Sequence, residues 1–235
     1  MKFKDIVFID IETVGEYPDY QHLNPRMRVF WDKKSGQISK HEEDTPETLY
    51  NRAAIYAEFG KVICISMAFT KNEKLCITSY YHDDEKHLLA SFAEMLNQHF
   101  SKAQYRLCAH NGKEFDFPYL CRRMLINGIK IPNILQVQGK KPWETQFLDT
   151  MELWKFGDYK HYTSLDLLSA IFNIPSPKDD IDGSQVHEVY WQQHDLERIK
   201  TYCEKDVLTI AQLIRCFIGK PMLTDDDVEY VQTGE

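Results

Sequence analysis

Several features are missing from this sequence, and each absence excludes a class of protein. No apolar run approaches the roughly 18 residues that a membrane-spanning helix needs, and the N-terminal stretch has no small-residue cleavage site. The six cysteines form no Cys-x-x-Cys pair and most lie in apolar stretches, which predicts free thiols in a reducing compartment and no zinc site. We therefore expect a soluble, cytoplasmic protein with no membrane partner.

Basic residues are also in deficit, because 36 acids face 28 lysines and arginines and give a net charge of -8. This balance argues against a duplex binder that neutralises many phosphates, although a nucleic-acid enzyme with an acidic, cation-holding site remains possible. No linker, low-complexity tract or internal repeat divides the 235 residues. We expect one domain over residues 1–235, with a core that needs no disulfide.

Three early strands followed by alternating strands and helices predict an α/β fold, a mixed sheet flanked by helices. Residues 14–58 are polar and irregular, and we interpret them as an insertion that contains one helix over 46–56, capped by Thr45. Strands are predicted over 6–13, 62–70, 74–82, 106–110 and 144–150, and the other helices over 85–100, 115–127, 164–173 and 195–218.

A pair of acids interrupts the first strand, near its predicted end. Asp10 and Glu12 are two residues apart, so their carboxylates project from the same face of the strand. Asp-x-Glu also occurs at 83–85, 195–197 and 227–229, but there it lies in polar or helix-start sequence. Two like charges in an apolar strand are costly without a cation or a proton, which favours a functional pair over a solvated strand end.

A second motif, which contains the third acid, follows the strand that ends at residue 110. Asn111, Phe115 and Asp116 form an Asn-x-x-x-Phe-Asp pattern that occurs once in the chain. The alternative is structural, because an acid in the first turn of a helix and an Asn-Gly turn are both common.

The third motif is Tyr202-x-x-x-Asp206 inside the last helix, where positions four apart share one face. Tyr162 and Asp166 have the same spacing, and His161 offers a histidine version. We interpret that second set as structural, because residues 163–166 read as a capping box. The alternative for the pair at 202 and 206 is a surface acid beside a half-buried tyrosine.

In this order, the three motifs resemble those of the DEDD superfamily of 3′-5′ exonucleases, which have a ribonuclease H-like fold. With Tyr202 in its third motif, the chain resembles the tyrosine branch (DEDDy) of this superfamily. The histidine branch would need histidine at position 201. Four stretches further resemble a predicted exonuclease family related to the proofreading domain of B-family DNA polymerases; they begin at Glu58, Leu148, Asp182 and Tyr202. The resemblance covers about residues 5–218.

The resemblance implies two divalent cations, Mg²⁺ or Mn²⁺, which suit oxygen ligands. It implies Asp10, Glu12 and Asp206 around one ion and Asp10 and Asp116 at the second, with Tyr202 orienting the attacking water.

The substrate contacts form a separate set of predictions. The backbone at Ile11 and Thr13 is implied to meet the terminal nucleotide, Asn111 is expected to donate to sugar or phosphate, and Phe115 to stack on a base. Basic and aromatic residues also interleave at 26–34, with Phe30 and Trp31, and at 140–143, with Trp143; each of these stretches is either a single-strand groove or ordinary packed surface.

These features predict a metal-dependent 3′-5′ exonuclease that hydrolyses the 3′ end of single-stranded nucleic acid, with DNA favoured by the polymerase-like resemblance. The alternatives are an exoribonuclease or oligonucleotidase with the same site, and an inactive nucleic-acid-binding module. Because no polymerase region is recognisable, we expect any proofreading or repair role to need a partner chain.

Overall fold

The computed structural model describes residues 2–158, 162–175 and 180–232, and its centre is a sheet of six strands in the order β5-β4-β1-β2-β3-β6. The strands are β1 (Ile6–Gly15), β2 (Gly60–Lys71), β3 (Lys74–Tyr81), β4 (Arg106–Ala109), β5 (Leu148–Asp149) and β6 (Val228–Tyr230). β2 pairs antiparallel with β1 and β3, whereas the β1–β4, β4–β5 and β3–β6 pairs are parallel. The sheet is therefore mixed.

Helices cover both faces of this sheet. The α-helices of the described chain are α1 (Pro25–Ile38), α2 (Glu85–His99), α3 (Asp116–Ile126), α4 (Thr150–Lys155), α5 (Leu165–Ile171), α6 (Val186–Glu188), which continues into a π-helical turn (Val189–Gln193), and α7 (Leu196–Phe217). α2 and α3 pack on one face and α7 on the other. The predicted class, an α/β fold with a mixed sheet between helices, is confirmed.

The central strand β1 determines where the acids point. Its apolar residues are buried on both faces, as expected for a strand covered by helices on each side. Ile6 and Phe8 pack against α7. Because side chains alternate along a strand, Asp10 and Glu12 continue this row and face α7 as well.

The two acids lie inside β1 and not at its end, which corrects the prediction, because the strand continues to Gly15. The register with β2 shifts between Glu12 and Thr13, whose partners are Cys64 and Val62. One extra residue of β2 thus lies opposite the step from Glu12 to Thr13, directly after the acidic pair, as in a β-bulge, a feature that re-aims neighbouring side chains.

The prediction for residues 14–58 is wrong in detail. The helix lies at Pro25–Ile38, where the Asn24 side chain accepts the Met27 N–H at 2.9 Å and proline occupies the first turn. Residues 46–49 form turns and Tyr50–Ile55 a 3₁₀ helix, because the Thr45 and Thr48 hydroxyls bond each other's backbone N–H and close a local turn.

Two further boundaries are corrected around the fifth strand. The strand predicted over 144–150 is reduced to Leu148–Asp149, since Asp149 already caps α4. The cap of α5 is Ser164, which accepts the Leu167 N–H at 3.2 Å, and not the preceding threonine. His161 lies outside the described residues.

Among the helices that the structure describes, none combines the length and the apolar character needed to cross a lipid bilayer.

Candidate active site

Four carboxylates predicted from separate motifs lie in one electrostatic neighbourhood. Asp10 and Glu12 come from β1, Asp116 is the first residue of α3, and Asp206 lies in the middle of α7. Burial raises the pKa of both Asp10 and Glu12, and the charges of Asp206 and Asp116 raise it further. One strand and two helices on opposite faces of the sheet thus bring the acids together.

Three of the four acids in this cluster are buried, and Asp10 is partly buried. Glu12, Asp116 and Asp206 are 8%, 4% and 7% exposed. Burial is the largest cause of the raised pKa values of Asp10 and Glu12, and burial raises the pKa of Asp116 to about 7. Such crowding of acids is unfavourable unless protons or cations neutralise them.

The donor set suits a hard divalent cation. Of the residues that the structure describes, none donates a hydrogen bond to Glu12, although its side chain is almost fully buried. Its carboxylate lies within 4.8 Å of a ligand atom of Asp10 and of the Cys203 thiol. A buried carboxylate with free lone pairs beside a second carboxylate is what Mg²⁺ or Mn²⁺ coordination requires.

Tyr202 faces the same cluster and interacts directly with its neighbour on α7. Its hydroxyl donates a hydrogen bond to Asp206, one turn further along the helix. Burial, followed by the charges of Asp206, Glu12 and Asp10, raises the pKa of Tyr202 above its usual value. The phenol is therefore a hydrogen-bond donor at neutral pH and not a base.

The two backbone positions on β1 have structural partners. The Ile11 N–H donates to the Asp116 carboxylate, and the Ile11 side chain is buried in the core below. Thr13 donates its hydroxyl to the Ala54 carbonyl at 2.9 Å. Ile11 thereby links β1 to α3 within the site, and nucleotide contacts by Ile11 and Thr13 stay predictions.

Asn111 and Phe115 lie in the loop that leads into α3. Asn111 adopts the left-handed conformation with φ 60°, and its side-chain Oδ1 is buried with no hydrogen-bond partner among the described residues. Phe115 is partly buried, and its ring lies 5.3 Å from the ring of Tyr119. The proposed sugar or phosphate contact of Asn111 and the stacking by Phe115 also stay predictions.

Asp149 is a residue that the motif analysis missed, and it fixes the loop that carries Asp116. Its carboxylate accepts the N–H groups of Asn111 at 3.0 Å and Lys113 at 3.1 Å, and it also caps α4. The side chain is 2% exposed, and its charge contributes to the raised pKa of Asp116. The signal was an acid directly after an apolar residue at a strand end, inside the Leu148-Asp-Thr stretch.

Tyr162, which sequence reasoning set aside, also lies near the acids. Its ring is 65% exposed and packs edge-on against His110 at 6.4 Å. Partial burial raises the pKa of Tyr162, and the charges of Asp116 and Asp149 raise it further. The sequence could not predict that Tyr162 lies near the acids, because this depends on the path of the chain after α4.

The two stretches considered for a single-strand groove differ. Trp31 is fully buried and donates its indole N–H to the Pro46 carbonyl at 2.8 Å, so it offers no surface to a ligand. Phe30 remains about half exposed. Trp143 is 77% exposed, with Lys141 Nζ 5.3 Å from its ring centroid. Only the stretch at 140–143 therefore presents its tryptophan to solvent.

The free cysteines match the sequence prediction. No disulfide joins any of the six; Cys64, Cys76, Cys108 and Cys203 are buried, and Cys121 and Cys216 are partly buried.

Comparison with known proteins agrees with this architecture. The chain is 24% identical over 215 residues to a DNA polymerase of Pyrococcus glycovorans, a match that covers 80% of this chain and 27% of the polymerase. Its fold is similar to that of the family B DNA polymerase of Pyrobaculum calidifontis, with a TM-score of 0.55, 13% identity, and coverage of 91% of this chain and 24% of the polymerase. The chain thus spans about a quarter of the length of these relatives.

Residues 55–232 match the family described as predicted 3′-5′ exonucleases related to the exonuclease domain of PolB. The matched range contains Asp116, Tyr202 and Asp206, whereas Asp10 and Glu12 precede it, and the fold supplies them to the same cluster. The match extends over most of the chain. The chain therefore belongs to the family of predicted 3′-5′ exonucleases related to the exonuclease domain of PolB.

Proposed function

We propose that the chain is one exonuclease domain, with an insertion over residues 14–58, that hydrolyses phosphodiester bonds at the 3′ end of single-stranded nucleic acid. The observation that carries the proposal is the meeting of four carboxylates, three of them buried, from β1, α3 and α7 beside the hydroxyl of Tyr202. This donor set supports the proposal that the chain acts as a member of the tyrosine branch of the DEDD exonucleases. Its free cysteines agree with a reducing, cytoplasmic compartment.

The acids have distinct positions for holding cations. Asp10, Glu12 and Asp206 would hold one divalent ion, and Asp10 and Asp116 the second. Divalent ions at such a site neutralise charge on the phosphate and lower the pKa of water. The protein contributes placement: the Ile11 N–H holds the Asp116 carboxylate, and Asp149 holds the loop before it.

Tyr202 has a positioning task in this scheme. Its phenol keeps its proton at neutral pH because burial and three nearby carboxylates raise its pKa. Its single O–H proton is donated to Asp206, which fixes the direction of the hydroxyl, and the phenol oxygen accepts a hydrogen bond from the attacking water and so orients it. A group that positions water without taking its proton contributes orientation and not base strength.

The charge of the protein implies cation-dependent binding. A chain of net charge -8 with four acids in its site repels phosphate, so the substrate end should bind tightly only when divalent ions are present. Tyr162, exposed next to Asp116, gives a flat aromatic surface at the rim for the base of a single-stranded end. DNA is the favoured polymer because both matched polymerases act on DNA by name.

One gel separates this function from its alternatives. Single-stranded DNA and RNA of equal sequence, labelled at the 5′ or the 3′ end, are incubated with purified protein and Mg²⁺, Mn²⁺ or EDTA. We expect a stepwise ladder from 5′-labelled DNA and released mononucleotide from 3′-labelled DNA, both abolished by EDTA. Faster degradation of RNA would assign an exoribonuclease, and binding without cleavage under every condition would assign an inactive binding module.

A further inference from the structure

A thiol lies inside the acidic cluster. Cys203 directly follows Tyr202 on α7, and its Sγ is 3.3 Å from Asp10 Oδ2 and 3.4 Å from the Asp10 carbonyl oxygen. The residue is fully buried. A site for hard cations alone has no need of sulfur, which prefers softer transition metals.

The three donor atoms have the spacing of a metal site. Zinc binds carboxylate oxygen at about 2.0–2.2 Å and thiolate sulfur at about 2.3 Å, so tetrahedral ligands lie about 3.5 Å apart. The ligand atoms of Asp10, Glu12 and Cys203 all lie within 4.8 Å of one another. Glu12 provides an independent indication, because it is 8% exposed and receives no hydrogen bond from any described residue.

We propose that Asp10, Glu12 and Cys203 bind a thiophilic divalent ion of the zinc class, in competition with the Mg²⁺ or Mn²⁺ of the proposed nuclease. This inference deepens the proposed function, because it concerns the metal preference of that same site. When the sulfur–metal bond forms, the thiol proton leaves to solvent, so one proton is released and nothing is oxidised or reduced. Occupancy by such an ion removes two carboxylates from the cage and inhibits hydrolysis.

A neighbouring thiol requires a control. Cys64 lies on β2 opposite Glu12, and its side chain contacts Cys203. It also lies 3.9 Å from the Ser66 hydroxyl. It does not belong to the group of three close ligand atoms, so the proposal assigns the sulfur ligand to Cys203 alone.

Co²⁺ is the probe, because a cobalt–thiolate bond gives a near-ultraviolet charge-transfer absorption that carboxylates cannot give. The full chain is stripped with EDTA, exchanged into buffer with a phosphine reductant, and titrated with Co²⁺ without nucleic acid. We expect the absorption band to saturate at one ion per chain in the wild type. The band should be lost in Cys203→Ala and retained in Cys64→Ser and in Cys216→Ala, a partly buried thiol further along α7.

A second readout uses affinity. Loss of a direct ligand should weaken Co²⁺ binding by at least about 10-fold in Cys203→Ala. Even mutation of a residue that only hydrogen-bonds a metal ligand typically lowers metal affinity by about that factor. The wild-type titration tests the proposal without any variant, so the proposal can still be refuted if Cys203→Ala does not fold. Absence of the band in the wild type overturns the proposal, and so does a band that persists in folded Cys203→Ala.

The nuclease assay keeps this result distinct from the proposed function. A saturable band in a protein that never cleaves with Mg²⁺ or Mn²⁺ supports the thiol site and contradicts the nuclease. Cleavage with Mn²⁺ by a protein that shows no band supports the nuclease and contradicts the thiol site.

Discussion

Replacing Tyr202 with phenylalanine removes one hydroxyl and no charge, which makes it a clean test of the positioning role. The hydroxyl is buried and donates to Asp206. If it orients the attacking water, kcat should fall by about 10- to 1,000-fold, the loss seen when one positioned donor is deleted from an active site. This corresponds to about 1.4–4 kcal/mol of transition-state stabilisation.

Metal binding should change little in Tyr202→Phe, because a protonated phenol is not a ligand of the ions. The assay is single-turnover release of the 3′ nucleotide, together with the Mn²⁺ concentration that gives half-maximal rate. We expect a lower maximal rate with a half-saturation point close to that of wild type, because the interaction removed is not a metal–ligand bond.

The control for this variant must be a tyrosine away from the acids, and Tyr162 is unsuitable because it lies near Asp116. Tyr80 on β3 is suitable, since its ring packs on Phe92 of α2, across the sheet from α7. Tyr80→Phe should retain wild-type kinetics. Near-wild-type rates in both variants would refute the positioning role of Tyr202, and a raised Mn²⁺ requirement in Tyr202→Phe would show that the hydroxyl acts through the metal.

Further predictions concern the loop before α3 and the acids themselves. Asp149→Asn should lower kcat and raise the Mn²⁺ half-saturation point, because an amide accepts fewer hydrogen bonds from the backbone N–H groups of residues 111–113 than the carboxylate does. The control is Asp84→Asn, at a helix cap of α2 away from the site, which should alter neither quantity. Asp116 alone should contribute a loss of up to about 4 kcal/mol to the unfolding free energy of metal-free protein as pH rises from 4 to 7, because its folded-state pKa of about 7 makes it costlier to ionise in the folded than in the unfolded chain. Asp116→Asn should remove that part of the slope in urea titrations at several pH values, and an unchanged slope would contradict the burial account. Metal-free Asp10→Ala should keep the fold, with an equal or higher melting temperature by calorimetry, because it relieves repulsion among the acids.

The sequence alone predicts the central part of the site because its signals are local. Alternating apolar residues define β1, and two acids two residues apart must then share one of its faces. Helical spacing likewise places Tyr202 and Asp206 on one face of α7. The apolar pattern of the helix then predicts that this face is turned towards the sheet.

The missed features depend on contacts between distant parts of the chain. α1 was overlooked because only Trp31 and Ser35 of its 14 residues are buried, so it has no continuous apolar stripe, although Asn24 and the proline after it form a helix start. Asp149 accepts hydrogen bonds from residues 36 and 38 positions earlier, and although its place at a strand end marks it as a candidate, no local pattern identifies those partners. The position of Cys203 beside Asp10 spans 193 residues.

The most direct test of the central claim is the rate at which 5′-labelled single-stranded DNA is shortened by wild type and by Asp206→Asn in saturating Mn²⁺. Glu204→Gln is the matched control, because this acid lies on the same helix but accepts a hydrogen bond from Ser79 of β3. We predict a stepwise ladder for wild type and Glu204→Gln, abolished by EDTA, and a rate at least about 1,000-fold lower for Asp206→Asn, since a metal ligand supplies several kcal/mol. Equal rates for wild type and Asp206→Asn, or cleavage that persists in EDTA, would contradict the claim that these four carboxylates form the active site.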